Sequence, residues 1–119
     1  MKYQAEVTEI GEMALEFLEM DMLIIFNNNA PQELAEISVL HSIEEMEHEV
    51  EVGDTVRFGE STYAVTAVGD EANHTLKLLG HCSFKFSGKP QADLPGQIEL
   101  KGSALPIIKV GDQIQILKV

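Results

Sequence analysis

The feature that most constrains the fold is a series of short segments in which apolar and polar residues alternate, most of them closed by a glycine-containing turn. Such alternation is typical of strands that bury one face. Many short strands with few helices favour a closed barrel or a sandwich. The sequence therefore predicts a mainly β fold, a small closed β-barrel of short strands with one or two short helical turns. The alternating segments are Tyr3–Val7, Val50–Val52, Val56–Phe58, Tyr63–Val68, Cys82–Phe86, Ile98–Leu100 and Ile114–Ile116.

Helices are predicted at only a few places. Pro31 suits a first helical position, so Gln32–Ile37 is predicted to form one or two helical turns. A short helix is also predicted over Glu71–Leu79, whereas Glu12–Glu19 fits a helix or a strand equally well. The apolar run Met22–Phe26 indicates a buried strand. No linker divides the chain, and 119 residues is the length of one domain, so we expect a single domain over residues 1–119.

A short internal repeat accompanies this pattern. Val52-Gly53-Asp54 and Val110-Gly111-Asp112 each lead into an alternating segment. The repeat is too short for a solenoid. We interpret it as one type of turn that is used twice where a strand enters the barrel wall.

The charge distribution excludes one class of partner. The chain has 20 acidic and 8 basic residues, for a net charge of −12. Nucleic-acid binding requires a basic surface, so no nucleic-acid partner is expected. Residues 1–56 hold 14 of the acidic residues and a single basic one, Lys2. This acidic half either serves solubility or attracts a basic partner.

The apolar and cysteine content indicates the compartment. The longest apolar run is too short to span a bilayer, and the N-terminal residues do not resemble a signal peptide. The single cysteine, Cys82, excludes an internal disulfide and a cysteine-rich zinc site. We therefore expect a cytoplasmic protein with no direct membrane insertion.

The candidates for chemistry are histidines and glutamates, because no phosphate-binding loop, dinucleotide fingerprint or hydrolase motif occurs. His41 follows an apolar stretch, and its spacing alone fits a functional or a structural role. The other histidines, His48, His74 and His81, each have a plausible structural role. Alternate glutamates of the run Glu44–Glu51 would share one face of a strand. Such a run is more typical of a solvated face than of a metal site.

Six short pieces of the sequence occur together in a known family. They are Ala30-Pro31 with Leu34, Leu40-His41, Ala64–Gly69, Leu79-Gly80-His81, Phe86 with Gly88, and Leu94-Pro95-Gly96. In this order and at these spacings the chain resembles the glucitol/sorbitol-specific enzyme IIA component of the bacterial phosphoenolpyruvate-dependent sugar phosphotransferase system. The resemblance covers nearly the whole chain.

The resemblance implies an enzyme, a phosphocarrier that needs no cofactor and no metal. It would accept a phosphoryl group on a histidine from the carrier HPr and pass it to the sorbitol-specific enzyme IIB of the membrane components IIB/IIC. The family's phosphorylated histidine corresponds to His41. We predict His81 as a supporting hydrogen-bond donor, and Glu44, Glu45 and Glu47 as residues that bind the partner. The alternative is a non-enzymatic small β-barrel that serves as a binding or adaptor module.

Positioning and charge stabilisation carry most of the work in phosphoryl transfer. Backbone N–H groups, hydroxyls such as that of Ser42, or a second histidine are expected around the phosphoryl oxygens. The acidic run Glu44–Glu51 is unusual for the family. Because carboxylates repel a phosphoryl group, these glutamates are expected to surround the site without lining it.

Overall fold

A computed structural model describes residues 1–118, and in this part of the chain eight strands close into a barrel, as predicted. Around the barrel the strand order is β1-β3-β2-β6-β7-β5-β4-β8. The strands are β1 Tyr3–Ile10, β2 Met22–Asn27, β3 Val39–His41, β4 Thr55–Phe58, β5 Ser61–Val68, β6 Cys82–Lys85, β7 Gln97–Lys101 and β8 Gln113–Leu117. The helices in the same residues are α1 Ala14–Glu19, α2 Gln32–Ala35 and α3 Ala72–Leu79.

The barrel consists of two halves with the same plan. In one half, β3 pairs antiparallel with β1 and parallel with β2. In the other half, β7 pairs antiparallel with β5 and parallel with β6. The antiparallel pairs β2–β6 and β4–β8 join the halves. The counterparts are β1 and β5, β2 and β6, β3 and β7, and β4 and β8. When each strand is exchanged for its counterpart, every strand keeps the same neighbours in the ring, so the topology has a pseudo-twofold symmetry.

The repeated turns seen in the sequence belong to this symmetry. Gly53 and Gly111 both have φ 95°, a backbone conformation that favours glycine. The Gly53 N–H donates to the carbonyl of Val65 at 2.9 Å, and the Gly111 N–H donates to that of Val7 at 2.8 Å. Val7 and Val65 are therefore counterparts. Each turn leads into a strand of the wall, β4 or β8, which confirms the interpretation of the repeat.

Burial explains where the helices form. One face of β1, which carries Tyr3, Ala5 and Val7, lies in the core. Strand β2 is buried on both faces and contacts α1, whose Ala14 and Leu18 belong to the core. The ambiguous segment Glu12–Glu19 is thus a helix. The two other predicted helices are confirmed as α2 and α3, with α2 shorter than predicted.

One predicted strand is wrong. Residues 42–54 contain no strand, and of the two valines that the alternation placed on one buried face, Val50 is buried but Val52 is exposed. The Asn73 side chain forms hydrogen bonds with both backbone groups of Val50. Its Oδ1 accepts from the Val50 N–H at 2.7 Å, and its Nδ2 donates to the Val50 carbonyl at 3.0 Å. The Asn73 side chain thereby makes the hydrogen bonds that a neighbouring strand would otherwise make with Val50. The glutamates of this segment consequently do not share a sheet face.

The segment is fixed to β1 by a buried lysine. The Lys2 ammonium, on a residue that is 3% exposed, donates to Asp54 Oδ2 at 2.7 Å, to Glu51 Oε1 at 2.8 Å and to the Glu49 carbonyl at 2.9 Å. Desolvation alone would lower the pKa of Lys2. The hydrogen bonds and charges of Asp54 and Glu51 outweigh it, so the pKa of Lys2 is raised above its usual 10.5.

We expect Lys2→Met to lower the free energy of unfolding by about 3 kcal/mol, because it leaves the buried Asp54 carboxylate without its cation. Urea denaturation measures this loss. The control is Lys89→Met, which removes an exposed ion pair with Asp93 and should change stability little. Equal losses in the two variants would contradict a structural role for Lys2.

The same ion pair gives a pH dependence. Since the folded-state pKa of Lys2 is raised, its contribution to stability is complete below pH 10.5 and is lost as the pH rises through the folded-state value. The stability difference between the native protein and Lys2→Met should therefore shrink only in strongly alkaline solution.

Candidate functional site

His41 lies at the end of β3 and faces the inside of the barrel wall. It is in register with Val7 on β1 and with Asn27 on β2, so the three side chains share one face of the sheet. The side chain of Val7 belongs to the core. His41 has no exposed surface, and the ring of Tyr3 meets its ring edge-on at 6.0 Å between centroids.

Two backbone carbonyls hold the His41 ring. Nδ1 lies 2.8 Å from the carbonyl oxygen of Ser42, and Nε2 lies 2.7 Å from that of Gly80. Carbonyl oxygens only accept hydrogen bonds, and a neutral imidazole has one N–H to donate. Both contacts are hydrogen bonds only when both nitrogens carry a proton. A nucleophilic nitrogen on this ring therefore requires one carbonyl to give way.

Gly80 makes this close approach possible. It ends α3 in the left-handed conformation with φ 62°. A Cβ at this position would lie 2.7 Å from His41 Cε1 and 2.6 Å from Asn27 Cγ. Its counterpart in the other half is Asp21, which has φ 65°. The conformation alone thus tolerates a side chain, and it is the proximity of His41 and Asn27 that requires glycine.

Asn27 is a site residue that the sequence did not reveal. It is 7% exposed, and its Oδ1 has no hydrogen-bond partner among the described residues. An unsatisfied buried polar group costs about 1–3 kcal/mol. In the sequence Asn27 belongs to a run of three asparagines that indicates a turn. The only available signal was a polar residue directly after an apolar strand.

The other half of the barrel has apolar side chains at the equivalent positions. The counterpart of His41 is Leu100, which pairs with Val65 as His41 pairs with Val7. The counterpart of Asn27 is Phe86. The carbonyl of Asp21, which corresponds to that of Gly80, accepts a hydrogen bond from the Phe86 backbone N–H at 3.0 Å. The polar cluster therefore marks a departure from the symmetry of the barrel.

His81 adjoins this cluster without touching the His41 ring through any described contact. Its Nδ1 lies 3.0 Å from the carbonyl of Ile25, and its ring packs on that of Phe26 at 4.7 Å. Because side chains alternate along β2, Phe26 points away from the face that carries Asn27. His81 is connected to His41 only through the chain, because the residue before it, Gly80, has its carbonyl oxygen against His41 Nε2. The role of His81 as a supporting donor stays a prediction.

The segment after His41 presents its glutamates to solvent. Glu44, Glu45 and Glu47 are exposed and line a groove of about 630 Å³ together with Tyr3. Burial raises the pKa of the Tyr3 hydroxyl, and the nearby Cys82 and Glu44 raise it further. Tyr3 is thus the residue shared by this groove and the His41 ring, and the arrangement of the three glutamates around the site stays a prediction.

Ser42 contributes its backbone to the site. Its hydroxyl oxygen accepts a hydrogen bond from the Glu6 N–H at 2.9 Å, and its carbonyl faces His41. The hydroxyl accepts this bond from β1 and keeps its own proton to donate, so its role near a phosphoryl group stays a prediction.

In residues 1–118 no group of three or more histidine, cysteine, aspartate or glutamate side chains is arranged to hold a metal ion. Within the same residues no helix is both long enough and apolar enough to cross a membrane.

Comparison with known proteins decides the family. A family model described as the phosphotransferase-system glucitol/sorbitol-specific IIA component matches residues 2–115. The chain belongs to this family. Curated glucitol/sorbitol-specific EIIA components from Escherichia coli (strain K12) and Shigella flexneri are each 33% identical over 117 residues, which cover 98% of this chain and 95% of theirs.

A solved structure agrees with this. The crystal structure of a phosphotransferase-system IIA component from Enterococcus faecalis V583 superposes with a TM-score of 0.87 at 32% identity, and the match covers 97% of this chain and 99% of that one. As a glucitol/sorbitol-specific IIA component, the chain is part of a phosphotransferase system. The alternative of a non-enzymatic adaptor module is not favoured.

The close contact at Gly80 can be tested by substitution. We expect Gly59→Ala to cost about 1–2 kcal/mol, because φ is 59° there and the atoms nearest to the added Cβ belong to the Asp112 side chain, at 3.2 Å or more. Gly80→Ala should cost a further 1–3 kcal/mol through overpacking against His41 and Asn27. Thermal unfolding of the two variants measures the difference. Equal losses would mean that the corner moves freely away from His41.

Proposed function

We propose that this protein is a cytoplasmic phosphocarrier, which accepts a phosphoryl group on His41 from HPr and passes it to the sorbitol-specific enzyme IIB of the IIB/IIC membrane components. The observation that carries the proposal is the His41 ring itself. It is fully buried in a barrel of this family, and two carbonyls fix its orientation. Fixing the nucleophile before the reaction lowers the entropic part of the barrier.

The surroundings of the two ring nitrogens favour Nε2 as the acceptor. The carbonyl at Nδ1 belongs to Ser42, whose backbone N–H is bonded to Glu6 of β1 at 2.9 Å. The carbonyl at Nε2 belongs to Gly80, which lies between α3 and β6 and outside the sheet. The second carbonyl can move without breaking strand pairing. Nδ1–H then keeps its bond to Ser42 and fixes the tautomer, as a partner on the second ring nitrogen does in general.

The transfer step needs no further reactant. The Gly80 carbonyl first moves aside, and the ring reacts as the neutral tautomer whose proton lies on Nδ1. The Nε2 lone pair then forms a bond to phosphorus while the P–N bond in phospho-HPr breaks, and its electron pair returns to the donor histidine. Nδ1 keeps its proton throughout. Transfer to enzyme IIB repeats the step in the opposite sense, with the partner's nucleophile attacking phosphorus.

We expect His41→Gln to accept no phosphoryl group from phosphoenolpyruvate, enzyme I and HPr. Mass spectrometry of the native protein should show the gain of one phosphoryl mass, lost in acid, because a phosphorus–nitrogen bond is acid-labile. The matched control is His48→Gln, which changes an exposed histidine in the acidic segment and should be labelled normally. Labelling of a folded His41→Gln variant would contradict the assignment.

The predicted role of His81 as a supporting donor can be tested with one substitution. His81→Gln should still be labelled on His41 but should pass the group on 10²–10⁴-fold more slowly, the range typical of a proton donor in a transition state. Unchanged onward transfer would leave His81 as a residue that packs the corner against β2.

We also propose that Glu44, Glu45 and Glu47 attract a basic surface of the donor. Replacing the three with lysine should slow association with phospho-HPr, and the native rate should fall as salt rises. The control replaces Glu12, Glu16 and Glu19, which are exposed on and beside α1 and give the same change in net charge. Stopped-flow rates that fall equally in both triple variants would indicate an effect of net charge alone.

A further inference from the structure

We propose that the side-chain amide of Asn27 donates a hydrogen bond to the phosphoryl group on His41, as an uncharged phosphoryl-binding residue of this site. The inference rests on the proposed function and adds a second catalytic residue to it. No motif in the sequence indicates this role. It follows from the position of Asn27, from its missing partner and from the comparison of the two halves of the barrel.

The position of Asn27 is set by strand pairing. Asn27 and His41 are direct neighbours in the parallel pair β2–β3, with side chains on one face. A Cβ built on Gly80 would lie 2.6 Å from Asn27 Cγ and 2.7 Å from His41 Cε1. Cε1 is bonded to Nε2. The amide, the imidazole edge and the movable corner therefore converge on one small volume.

The amide is buried and has a free oxygen. Asn27 is 7% exposed, and its Oδ1 is without a hydrogen-bond partner in the described part of the chain. Native proteins rarely leave such a group unsatisfied without a reason. A half-turn of the amide about its last bond exchanges Oδ1 with the NH₂ group. When the Gly80 carbonyl moves and phosphoryl oxygens enter, the amide can offer this donor to them.

The barrel itself shows that packing does not require asparagine here. At the equivalent places the other half has Leu100, which belongs to the core, and Phe86, which is partly buried and packs against it. An apolar pair thus satisfies the architecture. The polar pair Asn27 and His41 occurs only in the half where Gly80 provides room for a close approach.

The charges nearby favour a neutral donor. Lys2, the only basic residue in the first 56, is already bound to Asp54 and Glu51. The exposed glutamates after His41 make the region negative. A phosphoryl group that arrives there is stabilised by oriented neutral donors, which work well where water is excluded. A neutral donor also allows the group to leave again, as a carrier requires.

The decisive variants are Asn27→Asp and its neighbour Asn28→Asp. Both add one negative charge, at the last residue of β2 and at the residue after it, but the Asn28 side chain is exposed. In single-turnover labelling by phospho-HPr, Asn27→Asp should lower the maximal rate about 10²-fold with little change in the concentration of donor at half-saturation. Asn28→Asp should behave as the native protein does. Equal rates in the two variants would overturn the proposal.

A second variant separates catalysis from folding. Asn27→Ala removes the unpartnered oxygen, so its melting temperature should stay at or above the native value while the labelling rate falls at least tenfold. The ³¹P chemical shift of its phosphohistidine should also move, because a hydrogen bond to the group is lost. A lower melting temperature with a native rate and shift would make Asn27 structural and overturn the proposal.

The proposal and the function on which it rests fail in different ways. If the native protein is not labelled at all, the phosphocarrier function itself is wrong. If the native protein is labelled on His41 and Asn27→Ala is labelled equally fast, only the role of Asn27 is wrong.

Discussion

The hold of two backbone carbonyls on one buried imidazole is the constraint on which the site depends. It places the Ser42 carbonyl on one side of His41 and Gly80 on the other, each within 2.8 Å of a ring nitrogen. Glycine is needed at residue 80 because the ring lies so close. Asn27 lies at the same corner because it pairs with His41, and its amide oxygen has no partner among the described residues. The geometry of the corner therefore follows from how His41 is held.

The barrel can carry this polar cluster because its own stabilisation lies elsewhere. Each large apolar side chain buried in the core contributes about 1.5–3 kcal/mol, and the core extends through both halves. An unsatisfied amide oxygen costs about as much as one such side chain contributes. The pseudo-twofold symmetry shows that this free-energy cost is confined to one half, since Leu100 and Phe86 occupy the equivalent positions of the other half without polar groups.

Local patterns predicted most of the fold because alternation reports burial directly. They failed at Val50, whose burial is real but whose hydrogen bonds go to the Asn73 side chain, a partner distant in sequence. His41 could be singled out because its apolar lead-in is local and the resemblance includes it. Asn27 could not, because its burial depends on which strand lies beside β2 and on which face it shares with His41. The pairing of distant strands is absent from any local pattern.

Closure of the sheet determines which part of the molecule can move. The corner at Gly80 is held by the last bonds of α3, from the Gly80 N–H to the Leu76 carbonyl at 2.9 Å and from the His81 N–H to the Thr75 carbonyl at 3.2 Å. Releasing it frays one helix end and leaves the strand ladders intact. Local opening of this kind costs far less than global unfolding and takes place in microseconds to seconds. If His41 is reached through this corner, as proposed, access is a fluctuation of the native state, and the speed of the carrier can change without a change in the stability of its barrel.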